Sequence, residues 1–253
     1  MQLFDLGGKT ALITGSSQGI GLTLAGGLAA HGARVVLNAR NAERLAGAAA
    51  RLRAQGHEVL ELAFDATDGA AVRAAIDGFE AGHGPIDILV NNAGMTHRAP
   101  LEDFPPEKFE QIMATNVGSI FHVSQAVARH MIGRGAGKII NIASVQSALS
   151  RPGIAPYCAS KGAVVNFTKG MATDWAPKGL NCNALAPGYF ETELTAALVA
   201  DADFSAWLRK RTPAGRWGKV EDLIGACVFL AAPASDFVNG HTLFVDGGIT
   251  ACL

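Results

Sequence analysis

The chain of 253 residues is 49% hydrophobic and 17% charged, with a formal net charge of −1. That balance describes a globular protein with ample core, of one or two domains on length alone, and it gives no electrostatic case for nucleic acid or an acidic membrane surface as partner. Cys158, Cys182, Cys227 and Cys252 are scattered without a C-x-x-C pair. That argues against a structural metal site or a disulfide framework and fits reduced thiols in a cytoplasmic protein. The opening MQLFDLGGKT has no basic region followed by an apolar stretch, and no apolar run approaches the ~20 residues of a membrane span. Neither export nor insertion is expected.

TALIT at 10–14 is short enough for a buried strand, and it breaks at once into GSSQGIG, where Gly15, Gly19 and Gly21 lead into a helical pattern over 20–30. A strand, a glycine-rich turn and a helix suit a pyrophosphate, because the backbone can come close and the first helical N–H groups are free. A plain strand-to-helix turn would use the same letters. RVVLNA at 34–39 reads as a second strand, at the distance where a dinucleotide fold recognises the adenosine ribose. An acid there would accept from the ribose hydroxyls and repel a 2′-phosphate; this chain has Asn38, Ala39 and Arg40.

Helical periodicity over 42–55, a strand over 58–64 running into Asp65, a helix over 69–81 and a strand over 86–90 continue the alternation. The strand ends in NNAG at 91–94, whose amides can satisfy backbone groups of neighbouring strands. A long helical pattern follows and is interrupted near Asn116, since asparagine in a helix interior is unfavourable and often marks a kink. Strands are expected at 137–142, 180–185 and 242–245, and helices at 157–176 and 220–231. Between them, 195–218 carries no strand signal and mixes charges with Trp207 and Trp217, a long segment of the kind that is often functional. The alternation predicts one α/β domain, a doubly wound, mostly parallel sheet of about seven strands.

Ser144, Tyr157 and Lys161 carry the chemistry. If Pro156 opens a helix, Tyr157 and Lys161 fall one turn apart on one face. A tyrosine with its ordinary pKa of about 10 exchanges protons poorly near neutrality. An ammonium beside it would lower that value, while Ser144 holds a carbonyl or alcohol oxygen. Y-x-x-x-K alone could be chance.

Taken together these motifs resemble the short-chain dehydrogenase/reductase family over roughly residues 9–248. The resemblance implies a Rossmann-type fold and an oxidoreductase using NAD or NADP. It assigns Asn116, Ser144, Tyr157 and Lys161 as the catalytic set, with Asn116 holding a water on a proton relay through Lys161. Cofactor contacts fall on Gly15, Ser17, Gln18, Gly19, Ile20 and Gly21, then Asn38 and Arg40, with Asp65 at the adenine and Asn92, Ala93 and Gly94 beside the ring system. Tyr157, Lys161, Pro187, Gly188 and Thr192 serve the nicotinamide end.

With no acid at Ala39 and a guanidinium at Arg40, NADP is the expected cofactor, although Gln18 stands where many NADP-using relatives carry a second base. SVQSALSRPGIAPY and LAPGYFETELT are similar to a branch of the family acting on sugar acids. Substrate contacts are then expected from Arg98, Ser144, Gln146, Arg151 and Tyr157, with Arg98 favoured for the carboxylate because Arg151 precedes a proline that would turn it away. The resemblance also implies a substrate-covering segment at about 190–218, a homotetramer and no metal. A reductase of another ketone, such as a 3-oxoacyl thioester or a different sugar acid, and a non-catalytic NADP-binding sensor stay open.

Overall fold

Seven strands form one parallel sheet in the order β3-β2-β1-β4-β5-β6-β7 in the computed structural model, which describes residues 2–252. They are β1 (Thr10–Ile13), β2 (Arg34–Leu37), β3 (Val59–Glu61), β4 (Ile88–Asn91), β5 (Gly137–Ile142), β6 (Leu180–Pro187) and β7 (Thr242–Val245). The strand order reverses direction at β1, which pairs with β2 on one side and β4 on the other. A crevice opens at such a switch point, beyond the carboxyl ends of the strands.

Period-two alternation divides the strand side chains between two cores. Ala11, Ile13, Val35, Leu37, Ile88 and Val90 face α1 (Gly19–Ala30), α2 (Ala42–Arg53) and, further along the sheet, the later helix α9 (Ile224–Ala231). Leu12, Val36, Leu89 and Ile139 face the opposite way, against α3 (Gly69–His83), α5 (Ser119–Arg134) and α6 (Ala155–Trp175). Strands buried on both faces read as nearly continuous apolar runs, which is why they were visible in the sequence. A β-carbon on Gly27 would lie 2.9 Å from Ile224 Cγ1, so α1 and α9 pack almost backbone to side chain.

Several ends differ from the sequence reading. β3 stops at Glu61 because Asn38 Nδ2 donates to the carbonyls of Leu62 and Phe64, replacing a further ladder with a side-chain bracket. α4 (Pro106–Met113) and α5 are joined by a π-helical turn, Ala114–Gly118, so the interruption at Asn116 is a widened turn and not a break. α6 begins at Ala155, two residues before the expected start at 157, with Pro156 in its first turn.

The stretch expected to lack regular structure at 195–218 carries two helices, α7 (Ala196–Ala200) and α8 (Ala202–Arg211). Asp201 caps α8 by accepting from Phe204 N at 3.0 Å. Only a narrow stripe of the pair is apolar: Leu198 and Leu208 join Val145, Trp217 and Ile249 in a small third core, while Arg209, Lys210 and Arg211 close the last turn. That stripe was too short for periodicity to register.

Candidate active site

The crevice between β1 and β4 widens into a cleft of 480 Å³. Its floor is the β1–α1 turn. Gly15 sits at φ 61° with a would-be β-carbon 2.9 Å from Ala93 Cα, and one on Gly21 would lie 2.6 Å from Gly15 O and collide with the Asn92 amide. Neither position admits a side chain. Asn92 Nδ2 donates to Thr14 O and Gly15 O, both at 3.0 Å, while Thr14 Oγ1 accepts from the backbone of Asn92 and Ala93. This ties the glycine turn to the end of β4. Asn91 turns the other way and donates to Ser124 Oγ and Asn141 Oδ1 beneath the floor, so only one of the two NNAG amides braces the turn.

Ser17, Gln18, Gly19 and Ile20 line this cradle with Ala93 and Gly94. Open backbone at a helix start, with no side chain in the way, fits the pyrophosphate of a dinucleotide. At one end Ala39, Arg40 and Arg44 line the cleft beside Asp65. Arg40 Nη1 is 3.6 Å from Asp65 Oδ2, and Asp65 Oδ1 accepts from the backbone and hydroxyl of Thr67 at 2.9 and 2.7 Å. Burial pushes the Asp65 carboxyl up, but the Thr67 hydrogen bonds and the Arg40 charge outweigh it and hold the group below its ordinary value. Arg44 escaped the sequence reading; its position one turn beyond Arg40 was the available signal. Asn38 lines the same region, and its amide nitrogen is spent on the backbone just beyond β3, at Leu62 and Phe64.

At the other end Ser144, Tyr157, Lys161, Pro187, Gly188 and Thr192 come together. Ser144 leaves β5 as the cap of a short 3-10 turn, its Oγ accepting from Gln146 N at 3.1 Å, and its side chain is hydrogen-bonded to Tyr157. Lys161 is 5% exposed, donates to Ile142 O at 2.7 Å, and lies 5.7 Å from the Tyr157 ring centroid. Burial brings its amine down to about 8.

The expectation that Lys161 depresses the Tyr157 phenol is corrected here. Burial pushes the phenol up, and the Ser144 hydrogen bond and the Arg151 charge only partly offset it. The ammonium is turned to a backbone carbonyl instead.

Asn116 is fully buried in the π-helical turn, outside the cleft lining. Its Oδ1 accepts from Met95 N at 2.8 Å, and its Nδ2 donates to Met95 O at 3.0 Å and Ser160 Oγ at 2.9 Å. The Asn116 side chain thus fastens the strand-end loop to α6.

Of the substrate-side candidates, Arg151 bears on Tyr157 directly, while Arg98 bears on Arg151. Arg151 was expected to be turned away by Pro152, and it is not. Its charge bears on Tyr157, Tyr189 and Arg98, its guanidinium sits 5.7 Å over the Phe204 ring, and its Nε is buried without a hydrogen-bond partner. Arg98 is exposed at the cleft mouth, and burial together with Arg151 lowers its pKa.

No carboxylate among the described residues pairs with either arginine. Gln146, expected to meet substrate hydroxyls, has both ends engaged: Nε2 donates to Tyr189 OH at 3.1 Å and Oε1 accepts from Cys158 Sγ at 3.7 Å. Tyr189 was missed, although it follows the Pro187 and Gly188 that the sequence singled out. Among the described residues no group of three or more His, Cys, Asp or Glu side chains could hold a metal ion, and no helix is long and apolar enough to cross a membrane.

A doubly wound sheet, a glycine cradle at its switch point and a Ser-Tyr-Lys set at the far end define a nucleotide-dependent oxidoreductase of one family. The chain belongs to the short chain dehydrogenase family, whose profile matches residues 9–203. It is 61% identical to gluconate 5-dehydrogenase of Gluconobacter oxydans (strain 621H), over 99% of this chain and 98% of that protein. It is 52% identical to 5-keto-D-gluconate 5-reductase of Escherichia coli (strain K12), over 98% and 97%. The crystal structure of a gluconate 5-dehydrogenase from Burkholderia cenocepacia J2315, in complex with NADP and tartrate, superposes with a TM-score of 0.98 at 61% identity, covering 100% of this chain and 99% of that one.

Proposed function

We propose that this protein interconverts D-gluconate and 5-keto-D-gluconate with NADP(H). One observation carries the substrate class: Arg151, whose charge bears on Tyr157, and Arg98, whose charge bears on Arg151 in turn, have no carboxylate pairing to them among the described residues. Like charges placed together without a counter-ion fit an anionic ligand, and guanidinium suits a carboxylate through paired N–H donors. The names of the close relatives support the same substrate. A 3-oxoacyl thioester would have no use for two arginines at that point.

Cofactor choice follows from the other end. Arg40 and Arg44 line the cleft with no acid at Ala39, a charge pattern that favours a 2′-phosphate. NADPH supplies the hydride, and NADP takes it in the reverse direction.

The chain's own residues manage the proton and the geometry. Tyr157, whose phenol burial keeps protonated, donates to the carbonyl oxygen at the fifth carbon and takes the proton back in oxidation. Ser144 holds that oxygen through its hydroxyl. Lys161, with an amine near 8, stays mostly protonated at neutral pH and exchanges protons close to it. Asn116 acts by position, fixing the Met95 loop against α6. The segment 190–218, with α7 and α8, covers the substrate.

We assign the assembly as a homotetramer, which the exposed Phe121, 6.4 Å from Phe167, supports as an apolar patch seeking cover. The four unpaired cysteines support a cytoplasmic location.

Arg98→Ala tests the substrate reading. It should raise KM for 5-keto-D-gluconate by about 10- to 100-fold, the worth of a hydrogen bond to a charged group, while changing reduction of a small neutral ketone little. Equal loss with both substrates would make the arginine structural.

A further inference from the structure

The Tyr189 hydroxyl, in the corner it shares with Gln146 and Arg151, is a donor without an acceptor. Its ring is fixed by an edge contact with Trp217, at 5.9 Å between centroids, and by Phe204 at 5.7 Å. Its oxygen accepts from Gln146 Nε2 at 3.1 Å. Gln146 holds that orientation because its other end accepts the Cys158 thiol hydrogen at 3.7 Å and its backbone is tied to Ser144 Oγ. The Arg151 guanidinium lies beside the same oxygen and can only donate.

A phenol oxygen that accepts from its neighbours must direct its own hydrogen elsewhere, and among the described residues it finds no acceptor. Burial keeps that hydrogen in place at neutral pH by pushing the phenol up. Arg151 Nε, buried and unpaired, is a second donor in the same corner. Two donors lacking a partner in one corner call for an oxygen atom supplied from outside.

We propose that Tyr189 is a specificity-determining residue that donates a hydrogen bond to a hydroxyl or carboxylate oxygen of the sugar acid, away from the reacting carbon. Gln146 is then a positioning residue, acting through Tyr189 by fixing the direction of its hydrogen. This rests on the sugar-acid reading above. A site built to donate to an oxygen rejects an analogue lacking it, because its own donors are left unpaired. The pair therefore selects polyhydroxy acids over apolar ketones of similar size.

Tyr189→Phe preserves the ring contacts and removes only the hydroxyl. KM for 5-keto-D-gluconate should rise about tenfold, the worth of one hydrogen bond, with kcat within about twofold. NADPH affinity should not move, and the melting temperature should fall by a few degrees at most, since Gln146 Nε2 loses its acceptor. Gln146→Met should raise KM about threefold, and the double variant should be no worse than Tyr189→Phe, since Gln146 acts through the hydroxyl.

Additive losses would overturn the proposal, as would an unchanged KM in Tyr189→Phe or a fall in kcat accompanied by weakened NADPH binding. A wild-type enzyme that reduces 5-keto-D-gluconate while Tyr189→Phe matches it overturns this proposal alone. A wild-type enzyme inactive on every sugar acid overturns it together with the substrate reading.

Discussion

Replacing Lys161 with methionine removes an ammonium from a position that is 5% exposed and whose burial lowers the amine from 10.5 to about 8. At 1.36 kcal/mol per pKa unit, the charged amine costs the fold about 3 kcal/mol at neutral pH. Losing its hydrogen bond leaves Ile142 O short of one partner, worth about 2 kcal/mol for a charged donor. The variant should therefore be more stable by about 1 kcal/mol near pH 7, or about 2–4 °C in Tm for a chain of this size.

The pH dependence has a definite sign. Below about 8 the amine is charged in both folded and unfolded states, and the penalty is present in full. As pH rises from about 8 to 10.5, the folded protein sheds this proton while the unfolded chain keeps it, and the penalty shrinks to nothing. Thermal unfolding of wild type and Lys161→Met without cofactor, at several pH values between about 6.5 and 10.5, reads this directly. A Tm gain at neutral pH that falls as pH rises and gives way to a small loss at the alkaline end, where only the missing hydrogen bond remains, is expected, together with loss of turnover. A gain independent of pH, or none, would refute the claim that the lysine is retained at a cost to stability.

Ala39→Asp combined with Arg40→Ser should turn cofactor preference from NADPH toward NADH by about 10- to 100-fold in kcat/KM, since a charge-assisted contact is lost and a repulsive one gained. Initial rates with both cofactors check it, and an unchanged ratio would mean that Arg44 carries the phosphate. Gly21→Ala places a methyl 2.6 Å from the Gly15 carbonyl and against the Asn92 amide. It should cost about 1–3 kcal/mol of stability and weaken NADPH binding, measured by denaturant unfolding and fluorescence titration.

The sheet was legible because its strands are buried on both faces and bounded by glycine or asparagine turns. The cradle was legible because backbone crowding at Gly15 and Gly21 leaves no alternative residue. What escaped depends on side-chain direction, which spacing does not carry. A spacing of four from Tyr157 to Lys161 places both on one face of α6, yet the ammonium turns to Ile142 O, so the expected effect on the phenol does not arise. The proline after Arg151 says nothing of the pull from Phe204 and the Tyr189 hydroxyl. Asn116 was found as an interruption, while its clamp on Met95 joins groups 21 residues apart. α7 and α8 were missed because their apolar contact is a handful of residues against a separate small core.

The central claim is that Tyr157 passes a proton to a sugar-acid carbonyl in this cleft, and the most direct test compares wild type with Tyr157→Phe. Each enzyme is mixed with NADPH and 5-keto-D-gluconate, cofactor oxidation is followed by absorbance, and the product is identified. The wild type should form D-gluconate in step with cofactor consumed. The variant should be slower by about a thousandfold while its NADPH affinity stays within about twofold. A Tyr157→Phe enzyme turning over at near wild-type rate, or a wild type that consumes NADPH without forming gluconate, would contradict the account.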